Sequence, residues 1–169
     1  MSGAGAGHDA LRADGYAWSA GVATSDGDFD AQGHLNNSAI VRHFNDLRIG
    51  YVQANLGDVW IDWLSRTGSV VVAREVHVLY ESEGFPDERF VGATRILRRD
   101  GLAGILEQRV VEAANARPIA RAWVVQLLVK GGRAIAWPDF YWPLVATIEG
   151  HTIPHREQVP RAAWGPPAW

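Results

Sequence analysis

Three aspartates, Asp26, Asp28 and Asp30, lie just before the run Gln32-Gly33-His34-Leu35-Asn36-Asn37, and an apolar stripe with helical spacing begins at Ile40. Together these residue types can do chemistry. A carboxylate at the mouth of a helix can act as nucleophile or general base. A glycine lets backbone approach a ligand closely. A helix start offers unpaired N–H groups and positive partial charge, which suit a developing oxyanion. The same residues also have a purely architectural reading, because Asp, Gly and Asn are the ordinary turn and capping residues before a helix, and His34 alone fits a hydrogen-bonded core or surface position. A metal site on the aspartates is a third option, but the run lacks the glycine and distal glutamate of a calcium-binding EF-hand loop.

The elements that must position this segment follow from hydrophobic periodicity. Ile40, Phe44, Leu47 and Tyr51 recur at i, i+4, i+7 and i+11, with Val41 and Val52 widening the stripe. They predict a helix capped by Asn36-Asn37-Ser38 and stopped near Asn55 and Gly57. Asp58 to Arg66 reads as a second, short helix with Trp60, Ile61 and Leu64 on one side. A strand over about Tyr16 to Thr24 precedes the aspartates. After Thr67-Gly68 the period turns strand-like over Val70–Tyr80, Phe90–Arg98, Leu102–Ala113, Ile119–Lys130 and Arg133–Trp137. The Asp100-Gly101 step is a strong hairpin signal. One strand, a long helix, then four or more antiparallel strands make a two-layer α+β domain in which a single helix lies across a curved sheet.

Composition limits the function classes. The 169 residues carry a formal net charge of -3 and are 47% hydrophobic, which suits one domain with a real core and argues against a dedicated nucleic-acid binder. There is no Cys, so disulfides, thiolate metal centres and a cysteine nucleophile are excluded. No stretch has the roughly 18 uninterrupted apolar residues of a spanning helix, and Met1 to Gly7 lacks the basic and apolar regions of a signal peptide. The expectation is a soluble, cytoplasmic protein without membrane association. Residues 1–14 read as a flexible lead-in and 15–148 as the domain. Residues 149–169 read as a weakly structured tail, where Pro154, Pro160, Pro166 and Pro167 oppose regular structure while Trp164 and Trp169 suggest docking, on a partner subunit for instance.

The stretch Asp28-Phe29-Asp30-Ala31-Gln32-Gly33-His34-Leu35-Asn36-Asn37-Ser38-Ala39-Ile40, with Phe44 and Arg48 beyond it, resembles the hotdog-fold acyl-CoA thioesterases. The nearest group is the 4-hydroxybenzoyl-CoA thioesterase-like family, whose motif runs D-x-D-x-x-G-H-x-N-N-x-x-Y; Ile40 stands here at the usual aromatic. The resemblance implies one long helix wrapped by a curved antiparallel sheet and a reaction that hydrolyses acyl-CoA thioesters. It implies catalytic positions at Asp30 (the carboxylate), Asn37 (whose backbone N–H meets the thioester oxygen) and His34. It implies substrate-binding positions at Gln32, Gly33 and Asn36. No metal and no cofactor beyond the substrate's own coenzyme A is implied, and the assembly would be a homodimer or homotetramer, since such sites form where two subunits meet. Plant acyl-ACP thioesterases carry Asp-x-Asn-x-His at this place, against Asp30-Ala31-Gln32-Gly33-His34 here. A cysteine-based triad proposed for those relatives has no counterpart in this chain.

Alternatives of the same ancestry are an acyl-ACP thioesterase, a hydratase or dehydratase, and a non-catalytic acyl-CoA-binding protein. Three further groups are notable. Arg95, Arg98 and Arg99 read either as a phosphate clamp or as a solvated hairpin end. Trp137, Phe140, Tyr141 and Trp142, with Pro138 and Pro143, read as a lid or as a cover for an acyl channel. Glu75, His77, Glu107 and Arg109 read as the open face of the sheet or as the lining of a site between subunits.

Overall fold

The computed structural model describes residues 5–158. In chain order the elements are α1 (Gly5–Ala13), β1 (Ser19–Val22), α2 (Asn37–Asn55), α3 (Gly57–Thr67), β2 (Val70–Tyr80), β3 (Phe90–Asp100), β4 (Ala103–Glu112), β5 (Pro118–Lys130), β6 (Arg133–Ile135) and α4 (Tyr141–Glu149). The six strands form one antiparallel sheet in the order β1-β3-β4-β5-β2, with β6 paired to the end of β5. The fold is therefore α+β, as the alternation of periods predicts. β1 registers against β3 from Ser19 opposite Ala93 to Val22 opposite Phe90.

Contacts divide the described residues into two compact units. The first takes 5–51, 78–94 and 108–122, and the second takes 52–77, 95–107 and 123–158. In the first, α2 lays Ala39, Ile40, Phe44 and Leu47 against Phe90, Val110, Ile119 and Ala122 of the strands. The predicted stripe is thus the buried face, except that Val41 is 43% exposed and does not widen it. Buried Gln108 on β4 donates from Nε2 to the Phe44 carbonyl (2.8 Å) and to Thr94 Oγ1 (2.9 Å), which satisfies its amide inside the core.

Helix α2 packs closely on β3 at Gly92, where a Cβ would stand 2.2 Å from Leu47 Cδ1. Gly92→Ala is expected to force Leu47 out of its place and destabilise the fold by about 1–3 kcal/mol, read by denaturant unfolding. A neutral effect would mean that the α2–β3 contact is looser than this geometry.

Two expectations are corrected. Residues 5–13 are not a flexible lead-in but a helix, because buried Leu11 packs with Tyr16, Val91, Ala93, Val111 and Ala113, and the Gly7 N–H donates to the Ala113 carbonyl at 2.9 Å. A single large side chain anchors it, too little to create a periodic signal. The start of the tail is also ordered. Ile153 is buried, the Arg99 N–H donates to the Pro154 carbonyl at 3.0 Å, and Arg156 reaches Asp100 at 3.1 Å. Pro160, Trp164, Pro166, Pro167 and Trp169 lie outside the described residues.

The second unit is held by aromatics. Trp60 of α3 stacks on Trp63 and lies 4.7 Å from Tyr141, ring centre to ring centre; Tyr141 in turn stacks on Trp137 at 4.3 Å. Trp60 and Leu64 face inward as predicted, but Ile61 is exposed and Trp63 takes its place. The aromatic–proline run is therefore core plus helix α4. Pro143 is tolerated because it stands in the first turn, where its missing N–H has no helical acceptor to lose. Burial pushes the Tyr141 phenol well above its usual range.

Candidate active site

The groove that holds the predicted residues belongs wholly to the first unit. Asp30, His34, Leu35, Asn36, Asn37 and Ile40 form one side, and Tyr80, Glu81, Ser82 and Glu83, at and beyond the end of β2, form the other. They enclose about 400 Å³.

The loop from Asp28 to Asn36 is a narrow hairpin. Phe29 pairs with Leu35, the Asp30 N–H donates to the His34 carbonyl at 2.9 Å, and the Asn36 N–H donates to the Asp28 carbonyl at 2.8 Å. Its tip is turned by Asp30 itself. One carboxylate oxygen, Oδ1, accepts the N–H of Gln32 (2.8 Å) and of His34 (3.0 Å). The His34 amide, helped by that of Gln32, holds the exposed Asp30 carboxyl below its ordinary 3.8. It therefore stays ionised throughout the neutral range. Gly33 completes the tip with φ +80°, a conformation that L side chains rarely adopt, while the space where its Cβ would stand is open. The turn itself thus requires glycine at this position.

The start of α2 carries its own cap. Asn36 is the cap: its carbonyl takes the Ile40 N–H at 3.0 Å, and its side-chain Oδ1 takes the Ser38 N–H and hydroxyl, both at 2.8 Å. The Asn37 N–H, the first of the helix, has no intrahelical acceptor. Four of the six predicted residues (Asp30, His34, Asn36 and Asn37) thus line one groove. Gln32 and Gly33 belong to the same turn but not to its wall. The His34 ring meets Phe85 edge-on at 5.5 Å and places Nδ1 3.8 Å from Glu83.

Sequence reasoning did not separate Asp28 from its neighbours and passed over His43. Asp28 is only 2% exposed. Its carboxylate receives Arg42 Nη2 and the Ser25 N–H (3.0 Å), and His43 Nε2 stands 3.4 Å away. The Arg42 hydrogen bond outweighs desolvation and lowers its pKa. His43 could have been found, since it falls on the same buried stripe, three residues after Ile40 and four before Leu47.

Burial lowers the His43 pKa from 6.5 despite Asp28 and Asp46 nearby, while Arg42 acts in the same direction as burial. The unfolded chain then takes up a proton that the folded chain resists, so stability is full above about pH 6.5 and declines as pH falls toward the folded value. Melting temperature measured from about pH 8 to about pH 5 is expected to fall, and His43→Gln should flatten that part of the profile. An unchanged slope would remove His43 as its cause.

The arginine group forms neither a clamp nor a solvated end. Arg95 pairs with buried Glu107, Arg98 is buried, and Arg99 lies 5.5 Å over Trp142 with Nε on the Ile153 carbonyl. Arg109 pairs with Asp14, whereas Glu75 and His77 stand together on exposed β2. Among the described residues no cluster of three or more His, Asp or Glu side chains is placed to hold a metal ion. No helix among them is long and apolar enough to cross a membrane.

A family model described as the thioesterase-like superfamily matches residues 24–145. Among solved structures, a thioesterase from Thermus thermophilus complexed with coenzyme A and Zn is 20% identical, with 82% of this chain and 98% of that one covered at a TM-score of 0.71. A Staphylococcus aureus hypothetical protein in complex with CoA is 14% identical over 89% of this chain and 94% of that one, TM-score 0.71. A DHNA-CoA thioesterase from the same organism is 14% identical over 80% and 96%, TM-score 0.64. Likeness at these identities is likeness of fold. No curated protein matches the chain.

Proposed function

The chain belongs to the thioesterase-like superfamily, and from that premise we propose that it hydrolyses acyl-CoA thioesters to a free acid and coenzyme A. The observation that carries this reading is that Asp30, which bears a carboxylate, and Asn37, the first residue of α2, line the same groove; in this reading they supply the acid and the oxyanion donor. In the reaction Asp30 takes a proton from water, the hydroxide adds to the thioester carbon, and the carbonyl oxygen gains its negative charge beside the Asn37 N–H. The C–S bond then breaks and the sulfur leaves with the proton. In a second route Asp30 itself attacks, giving a mixed anhydride that water opens. Single-turnover hydrolysis in heavy-oxygen water separates the two, because only the second can leave label in Asp30.

His34 and Gln32 shape the turn, Gly33 permits it, and Asn36 prepares the amide. We read the arrangement as the hotdog one, with α2 wrapped by the sheet, and the group as 4-hydroxybenzoyl-CoA thioesterase-like. The setting is cytoplasmic, the reaction needs no metal or cofactor, and the chain acts as a homodimer or homotetramer. Support for self-association is strand β2, which ends the sheet and exposes Val70, Val72, Val76 and Tyr80.

The test is a panel of acyl-CoAs assayed by release of free thiol. Turnover of any member supports the reading. Binding without thiol release would instead make the chain a non-catalytic acyl-CoA-binding protein, and turnover of acyl-ACP alone would make the carrier protein the substrate.

A further inference from the structure

We propose that Asp28 is a positioning residue for this site: its buried carboxylate ties the loop bearing Asp30 to the helix bearing Asn37, and so sets the spacing of acid and oxyanion donor. The inference rests on the hydrolytic reading of the groove.

Asp28 does not line the groove, so it has no part in the chemistry by contact. Its main chain, however, is the root of the hairpin. The Asn36 N–H closes on its carbonyl at 2.8 Å, and Asp30 is paired with His34 two residues further along. Through these bonds the hairpin moves as a unit, and its orientation depends on what grips its root.

That grip is the Asp28 side chain. One oxygen receives Arg42 Nη2, while the other receives the Ser25 N–H at 3.0 Å and faces His43 Nε2 at 3.4 Å. Arg42 and His43 belong to α2, little more than one turn after Asn37. A helix rises about 1.5 Å per residue as a rigid rod, so a fixed Arg42 is a fixed Asn37. The path from Asp30 through its hairpin to Asp28, across the ion pair to Arg42 and back along α2 to Asn37 is a closed ring. Cutting it at the ion pair removes its charged link and leaves the hairpin's backbone bonds and the step from Asn36 to Asn37 between acid and donor.

An ionised carboxylate this deeply buried costs desolvation, which its partners must offset. The charged partner, Arg42, lies on the helix whose amide the reaction uses, and His43 of the same helix stands 3.4 Å away. A purely local role, capping the turn that starts at Ser25, would need the Ser25 bond alone.

The experiment uses the full chain with Asp28→Asn, Arg42→Met and the double variant. Steady-state constants are measured on an acyl-CoA that the wild type turns over, well below each variant's melting temperature. Because misplacement by about 1 Å can cost on the order of 10²-fold, Asp28→Asn is expected to lower kcat by about that factor while KM changes less than about 3-fold. The double variant should be no worse than the poorer single one, since both cut the same ring. Amide exchange at His34 and Asn36 should quicken in both single variants. A folded Asp28→Asn protein with kcat within about 3-fold of wild type, or one whose loss lies in KM alone, overturns the proposal. If Asp28→Asn does not fold, Arg42→Met carries the same kinetic test, since the Arg42 side chain is 53% exposed. If the wild type hydrolyses no thioester, the hydrolytic reading fails by itself; where the wild type does turn over, unchanged amide exchange in the single variants overturns the tether alone.

Discussion

Asp30→Asn is expected to reduce thioester turnover by more than about 10³-fold while leaving the fold intact. Removing one oxyanion donor typically costs about 10²- to 10³-fold, and loss of the carboxylate that serves as base or nucleophile should exceed it. Asparagine is the informative substitution because Asp30 has two tasks. Its Oδ1 accepts the amides of Gln32 and His34, and the asparagine carbonyl can keep both bonds, whereas alanine would open the turn and misplace everything on it. Thiol release under single turnover, beside a thermal melt of the same sample, separates loss of the acid from loss of the loop. Undiminished turnover in a folded Asp30→Asn protein would dismiss Asp30 from the chemistry. The lowered pKa adds a second expectation for the wild type: the acid limb of its pH–rate profile lies below the ordinary 3.8 as far as Asp30 controls it.

For stability, the largest single effect is expected at Trp60. It is 1% exposed and touches Trp63, Trp137, Phe140 and Tyr141, with centroids between 4.7 and 6.3 Å. Trp60→Ala removes the shared neighbour of four rings, and rings on different elements cannot all close the hole. A cost of about 3–5 kcal/mol follows, which for a chain of this size is a fall in melting temperature on the order of 10 °C. Trp63→Ala, at a half-buried position, should cost less. Chemical denaturation of both variants checks the order, and a cost below about 1 kcal/mol for Trp60 would mean that the cluster can collapse onto the gap.

Legibility from sequence followed the strength of the local signal. Helix α2 declared itself through four apolar residues at helical spacing and a run of capping residues. The β3–β4 hairpin declared itself through Asp100-Gly101. Helix α1 did not, because one leucine among glycines and alanines has no period, and only the strand residues around Leu11 make that leucine a core residue. Helix α4 was hidden by Pro143, which breaks a helix anywhere except in the first turn where it stands.

At the site, the resemblance of the motif singled out Asp30, His34, Asn36 and Asn37, which line one groove, where residue types and spacing alone left a capping role equally open. They could not say which of three aspartates in five residues is buried. That depends on Arg42 and His43, a helix turn further on. The arginines at 95, 98 and 99 show the same limit: adjacency in sequence suggested a cluster, and strand alternation with individual partners disperses it.

Strand β2 has a consequence for handling the protein as a material. It contributes 11 residues to the rim of the sheet, rich in valine and without proline or lysine, and its charges are confined to Arg74 and Glu75. Such a rim offers an unpaired ladder of N–H and C=O groups to any extended chain it meets. An ordered second copy would consume that ladder, whereas partially unfolded chains would extend it without end. The same strand is thus both the means of orderly pairing and the place where concentrated or heated samples should begin to aggregate. A single lysine at Val72 or Val76 would trade the first against the second.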